Sequence, residues 1–443
     1  MCASVAVLGS GGIAAEITVT GGPTESGEQH VPANTVDGKS DTAWRGAGES
    51  DRWRLEFDLG AVQDIGLVRV AFVSARQMPG DISGDISVDG KEWQPLGALP
   101  LSNPTELHVG QSMRFFRLNL ERMTTGTAPR IREVTFLNAD DAAAETNTPI
   151  KEILYPSDAD DTLQPARFFP GKGDAPVPLV VGLHTWSGNY QQRYLPKIES
   201  HCVQHGWAYI HPDFRGPNWT PQATGSELVV KDILSAVRYA RRVANVDPER
   251  IYLVGGSGGG YHALLMAGRT PDVWTAVSAW VPISDLTAWY HESRARKSGY
   301  ADHIVKSCGG EPGDSDAVDA ELRRRSPVTH LANARGLPLD INAGIHDGHK
   351  GSVPISHSLN AFNCVAAPED RIAPEDIEAM TETQQIPDHL QQPVTDESYG
   401  ANKPLFRRQS GSVRVTIFEG GHQVVEKAAL EWLAKQRRST VSP

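Results

Sequence analysis

The first residue whose setting suggests chemistry is Ser257. It sits in Gly255-Gly256-Ser257-Gly258-Gly259, a G-x-S-x-G pattern that follows an apolar run, Ile251 to Val254, and leads into a helical pattern, Tyr261 to Ala267. A serine on such a strand-to-helix turn is held strained with its hydroxyl exposed, as a nucleophile requires. Gly255 and Gly259 meet the demand for small residues where strand meets helix, and the amide of Gly258 points where an oxyanion would form. No lysine follows the glycines, which removes a phosphate-binding P-loop. The motif also comes too late among the strands for a dinucleotide fingerprint.

A serine nucleophile needs a base, and the base needs an acid to orient it. Two later strands supply them in the chain order Ser, acid, His. "PLDINAGIHDGHK" ends in a turn carrying Asp347, and "VRVTIFEGGHQVV" ends in two glycines and then His422. Asp340 is the rival acid but falls inside the strand pattern. His346, His349 and His357 lack the last-strand setting and read as loop histidines, although His349 could still line the site. The second oxyanion amide is expected from "VVGLHTWSGN", at Thr185 or Trp186, and Trp186 also as a pocket wall. "HPDFRGPNW" ends the next strand and shapes the same rim, with Asp213 and Arg215 as a structural pair. Trp289 and Tyr290, at the start of a polar insertion, are candidates for substrate stacking, with packing inside the domain as the alternative. No H-E-x-x-H or paired-cysteine spacing points to a catalytic metal.

These residues need strands and helices to position them. From about 150 onward, buried-strand runs ("PLVVGLHTW", "AYIHPDF", "RIYLVGG", "WTAVSAWVPI") alternate with helical patterns such as "SELVVKDILSAVRYARRV", for which Ser226 is the N-cap. That alternation predicts an α/β domain with a mostly parallel sheet and its functional residues at the carboxyl ends of the strands. Two segments read as insertions, 286–325 and 365–410, of the length that is usually functional or mobile. Residues 16–138 read differently. Short alternating runs, "RWRLEFDL", "IGLVRVAFV" and "RFFRLNL" among them, predict an all-β jelly roll, and the acidic, alanine-rich 139–149 a linker. The hydrolase-like domain is expected over 150–438.

Composition narrows the classes. A net charge of −12 argues against a nucleic-acid partner, and no apolar run is long enough to span a membrane. Residues 1–15 resemble the apolar region and cleavage site of a secretory signal lacking its basic start, with cleavage near Ala15, which predicts a secreted or periplasmic protein; a genuine first strand is the alternative. Once Cys2 leaves, Cys202, Cys308 and Cys364 allow at most one intramolecular pair, which sequence cannot choose.

On these motifs the chain resembles known families. "GLHTWSG", "PDFRGPN", "DPERIYLVGGSGGG", "SAWVPISDL", "GIHDGHKGSVP" and "FEGGH" make 150–438 similar to an α/β hydrolase of the prolyl oligopeptidase-like type. The resemblance implies a mostly parallel sheet with helices on both faces, and Ser257, Asp347 and His422 as the triad, with no cofactor for catalysis. It does not choose a substrate, because the group holds both peptidases and carbohydrate esterases. "NTVDGKSDTAWRG", "WRLEFDLGAVQDIGLVRV", "ISVDGKEWQPLG" and "IREVTFLN" make the N-terminal part similar to a discoidin-type (coagulation factor 5/8 C-terminal) galactose-binding-like domain. Such domains often hold a structural calcium near the loop matching "DGKSDT" and the late Glu133; the resemblance leaves that site open here. Trp44 and Trp53 fit its core. Prolyl oligopeptidases place a β-propeller before the hydrolase, and this chain has a jelly-roll pattern there without propeller-length repeats. The expected function is therefore a secreted serine esterase acting through an acyl-enzyme on a carbohydrate polymer or oligosaccharide ester, acetyl first. A peptidase with the same triad, gripping a free amino terminus through Glu292, and a non-catalytic carbohydrate-binding protein are the rivals. Oligomeric state is not readable.

Overall fold

The computed structural model describes residues 3–6, 16–26, 30–39, 41–123, 127–139 and 149–438. The expected cleavage point near Ala15 and nearly all of the expected linker lie outside them; Ala3–Ala6 forms a short strand antiparallel to Glu16–Gly22. The chain divides into two compact units, residues 1–156 with 160–167, and residues 157–159 with 168–443.

The first unit is built on antiparallel pairing. Its long strand Arg52–Phe72 pairs along its length with Thr105–Met123. Its first half also pairs with Glu16–Gly22 and its second half with Arg130–Leu137. The register slips between Asp58 and Gln63, where a bulge bends the strand so that it serves both pairings. Alternation decides which side chains go inward. Trp53, Leu55, Phe57 and Leu59 are buried, while Glu56 and Asp58 face outward to Arg117 at 2.9 Å and Arg114 at 2.8 Å. Phe57, Phe116 and Phe136 meet in the core with ring centroids 5.6–6.0 Å apart. Trp44 and Trp53 are core residues whose indoles donate to Thr24 Oγ1 and the Ala47 carbonyl.

The second unit holds a mixed sheet in the order Pro404–Ser410, Val413–Phe418, Leu339–Gly344, Ala276–Trp280, Val246–Gly256, Val177–Leu183, Ala208–Pro212. Among these seven strands all run parallel except Pro404–Ser410, which pairs antiparallel with Val413–Phe418 at one edge. Leu339–Gly344, Ala276–Trp280 and the Ile251–Gly256 half of the next strand are buried throughout, which is why they read as continuous apolar runs rather than alternating ones. Helix Glu227–Val243 begins where its cap predicts, with Ser226 Oγ accepting from the Val229 amide at 3.3 Å, and it buries Val229, Val230, Ile233, Val237 and Ala240. Both segments read as insertions are folded. The first forms helices Leu286–Ala295, Tyr300–Cys308 and Asp316–Arg325 around a core containing Trp289, Ile304 and Leu322. The second carries helix Pro374–Thr383, short 3-10 turns and the edge strand. Cys202, Cys308 and Cys364 are free thiols.

Arg215 and Asp213 both hold structure. Arg215 binds Asp232, a buried carboxylate of helix Glu227–Val243, at 2.6 Å, and the Asp213 carboxylate accepts from the Tyr190 amide at 3.3 Å.

Candidate active site

Strand Val246–Gly256 passes straight into helix Gly258–Arg269 through Ser257, which adopts φ 57°, ψ −121°. A residue with a side chain is rarely held there, and such strain is stored at turns that display a nucleophile. Neighbours enforce it: the Ser257 amide donates to the Trp280 carbonyl at 2.9 Å, and its carbonyl accepts from Tyr261 at 2.8 Å as the helix starts. The glycines are there for close approach. A Cβ on Gly255 would lie 2.4 Å from the Gly259 backbone, and one on Gly258 would lie 2.2 Å from the Trp186 amide nitrogen. The second contact brings two amides to one place. Gly258 opens the helix, so its N–H has no partner within the helix, and among the described residues no acceptor is paired with Trp186 N–H. The Thr185 amide is spent, donating to Gln192 Oε1 at 2.9 Å, so of the two expected oxyanion amides on this loop Trp186 alone has one to offer.

The loop that presents Trp186 is held from both sides. The ring nitrogens of His184 face the carbonyl oxygens of Thr185 at 2.9 Å and Asp213 at 2.8 Å, and the ring stacks on Phe214 at 3.9 Å. Asn218, fully buried, donates its backbone amide (2.9 Å) and its side-chain amide (3.1 Å) to the Trp186 carbonyl. On the nucleophile helix itself, one turn in, His262 is fully buried. Burial first, and the charge of His184 second, hold its ring neutral by pushing its pKa down to about 3. Nδ1–H donates to the Gly258 carbonyl at 2.8 Å, while Nε2 accepts from the Gly225 amide at 3.2 Å.

Asp347 and His422 are in direct contact, Nδ1 to Oδ2 at 2.7 Å. Asp347 is 1% exposed, and its other oxygen accepts from the amides of Gly348 at 2.9 Å and Val353 at 3.2 Å, so the carboxylate cannot swing away. With Nδ1–H donated to Asp347, Nε2 is the basic nitrogen. In this structure it accepts from Ser352 Oγ at 3.3 Å, not from Ser257. The His422 loop nonetheless borders the nucleophile turn: a Cβ on Gly256 would lie 2.4 Å from Val424 and 2.9 Å from the Tyr194 hydroxyl. Burial, with Asp347 and Glu426 adding to it, pushes the Tyr194 hydroxyl up to about 12, so it stays a neutral donor beside the turn.

The remaining expectations sort by contact. Asp340 is buried against Arg414 at 2.6 Å and Ser278 at 3.0 Å, committed inside the sheet. His346 is shared by Gln384 and Glu419, and His349 lies against the Thr381 carbonyl. Trp289 and Tyr290 are 1% and 4% exposed, so neither presents an open stacking face. Trp289 packs on Trp186 at 4.6 Å and its indole holds the Ser352 carbonyl at 2.9 Å. Glu292 is bound by His357 at 3.0 Å, whose other nitrogen accepts from the Ser284 amide at 3.1 Å. Sequence reasoning missed Ser352, Tyr194, Gln192 and Asn218. Each sits in a loop beside a recognised motif, and nothing in local pattern marks a loop residue that folds back on another loop. Among the described residues no group of three or more His, Cys, Asp or Glu side chains forms a metal site, and no helix is long and apolar enough to cross a membrane.

A strained serine at a strand–helix turn, two free amides beside it and a buried aspartate–histidine couple on neighbouring strand ends define an α/β hydrolase unit of the serine type. Comparison with known proteins makes this specific. Residues 199–370 match the prolyl oligopeptidase family and residues 18–134 the F5/8 type C domain, so the chain joins a prolyl oligopeptidase family domain to an F5/8 type C domain. It is 27% identical over 221 residues to dipeptidyl aminopeptidase BIII of Pseudoxanthomonas mexicana, covering 46% of this chain and 30% of that protein. It is 31% identical over 114 residues to an acetylxylan esterase of Coprinopsis cinerea, covering 23% and 30%. Over 137 residues it is 26% identical to feruloyl esterase B of Thermothelomyces thermophilus, covering 29% and 46%. The chain thus spans less than half the length of each of these relatives.

Proposed function

We propose that the protein is a secreted serine esterase that removes acyl groups, acetyl first, from carbohydrate. The observation that carries the reading is the Asp347–His422 couple set beside the strained Ser257 and the Gly258 and Trp186 amides. Ser257 Oγ attacks the ester carbonyl as its proton passes to His422 Nε2, and Asp347 stabilises the imidazolium. The carbonyl oxygen, now negative, takes hydrogen bonds from Gly258 and Trp186. Collapse expels the sugar hydroxyl, which takes the proton from His422, and leaves an acyl-serine. Water, deprotonated by the same nitrogen, releases acetate and restores the serine. For Nε2 to serve Ser257, the Ser352 hydroxyl must yield its place, a rotation about one side-chain bond.

The substrate class rests on two supports. The relatives include an acetylxylan esterase and a feruloyl esterase, and an F5/8 type C domain on the same chain would raise the local concentration of a polymeric substrate. A peptidase is the second reading, favoured by the family of the hydrolase domain and the aminopeptidase relative. Against it, Glu292 is occupied by His357 and is not free to grip an amino terminus. Acetate release from acetylated polysaccharides, set against aminoacyl and Xaa-Pro p-nitroanilides with Ser257→Ala as blank, decides. Anilide cleavage without acetate release would sink the esterase.

A structural calcium in the first unit is part of the proposal. Glu133 is raised to about 7 by burial and by the nearby charge of Asp37, an arrangement that a cation between the two would relieve. Asp37 and Glu133 would hold it with backbone carbonyls, and its contribution would be to the fold of this unit.

A further inference from the structure

Among the described residues Trp219 is the one aromatic residue among the exposed large hydrophobic side chains, at 39%. It lies on the loop after strand Ala208–Pro212, at the carboxyl end of the sheet where the site is built. Its base is rigid. The preceding residue, Asn218, is fully buried, holds the Trp186 carbonyl with two hydrogen bonds and accepts from the Thr224 amide at 2.9 Å. The Trp219 amide is itself tied to the Pro217 carbonyl at 3.0 Å. An exposed indole on such a base is already ordered before anything binds, so stacking on it costs little conformational entropy.

Trp219 also ends an aromatic line. Its ring lies 5.2 Å from His303, His303 lies 6.0 Å from Tyr300, and Tyr300 stacks on Trp289 at 4.9 Å. The line runs from solvent to the buried Trp186, whose indole donates to His303 Nδ1 at 3.2 Å. That bond leaves the proton of neutral His303 on Nε2, a donor beside the exposed ring. A flat apolar face with a neutral donor next to it matches a pyranose ring, which shows C–H groups on its face and hydroxyls around its edge. We propose that Trp219 and His303 form a subsite that stacks a sugar ring of the substrate chain next to the acylated unit. The inference rests on the esterase reading and names the part of the substrate that the site grips.

The test compares wild type, Trp219→Ala and Trp219→Phe on p-nitrophenyl acetate, acetylated xylo-oligosaccharides and methyl ferulate. For Trp219→Ala we expect kcat/KM on the oligosaccharide to fall about tenfold, through KM, the size of one lost aromatic stacking contact. The rate on p-nitrophenyl acetate should stay within about twofold, which also reports that the variant is folded. Trp219→Phe should recover part of the loss. Equal losses on all substrates, no loss on the oligosaccharide, or a loss confined to methyl ferulate, which would place the ring on the acyl side, each overturn the subsite. If wild type releases no acetate from any oligosaccharide, the esterase reading fails separately. Calorimetric titration of Ser257→Ala with unacetylated xylohexaose then judges the subsite alone. Binding weakened by adding Trp219→Ala supports it, and identical traces, including none in either, refute it.

Discussion

Gly258→Ala tests the oxyanion geometry most directly. The new Cβ would sit 2.2 Å from the Trp186 nitrogen and 2.4 Å from its Cα. Both are backbone atoms, so no rotamer change relieves the contact. Restoring an ordinary separation of about 3.5 Å needs the Trp186 backbone to retreat by about 1.3 Å. Alanine keeps its own N–H, so the loss falls on the Trp186 donor. One lost oxyanion donor costs ~10²–10³ in kcat. Stability should fall as well, because a contact this short with backbone atoms is not relieved cheaply and the about 0.5–1 kcal/mol that a helical alanine regains offsets only part of it. The assay is steady-state hydrolysis of p-nitrophenyl acetate beside thermal unfolding. Gly421→Ala is the control, since a Cβ there meets nothing within 4 Å although it adjoins His422. Activity of the folded Gly258→Ala enzyme within about threefold of wild type would refute the pairing of the two amides.

Asp347→Asn should cut kcat by ~10⁴ with little loss of stability, because an amide keeps the shape but can hold the wrong imidazole tautomer; stopped-flow acylation and melting curves check it, and a loss under tenfold would unseat Asp347 as the orienting acid. Glu292→Ala should lower unfolding free energy by ~1–3 kcal/mol, since it leaves the buried His357 Nε2–H unpaired; selective loss of aminoacyl substrates at unchanged stability would instead support the peptidase. Glu133 gives a pH signature. Its native pKa, raised to about 7, lies above the ordinary value of 4.5, so without divalent cation stability should fall as pH rises from about 4.5 to about 7 and level off above. Calcium should raise Tm at pH 7 and flatten that slope, and a melting series with chelator or calcium that shows no difference refutes the cation site.

Several parts were legible because they depend on neighbours in sequence. The capped helix at Ser226 follows from a local hydrogen bond and an apolar stripe, and the inward Trp53, Leu55 and Phe57 follow from alternation. The strand–serine–helix turn at Ser257 was readable for the same reason, as were the strand-end placements of Asp347 and His422. Stacking residues were not legible. An aromatic at the head of a polar insertion looks exposed, yet helix Leu286–Ala295 turns Trp289 and Tyr290 into a core built with Ile304 and Leu322. Trp219, in a loop with no periodicity, gave no sign of being the one left in solvent.

Sequence by itself determined the two fold classes, the order of their strands and helices, and which serine, aspartate and histidine end those strands, because period and turn chemistry act over a few residues. Tertiary structure alone decided the pairings between distant loops: Arg215 with Asp232, Glu292 with His357, Ser352 with His422, and the Thr185 amide with Gln192. Each buried or half-buried polar group must find a partner, and the partner is whichever group packing delivers within hydrogen-bond reach, a condition that no local pattern encodes.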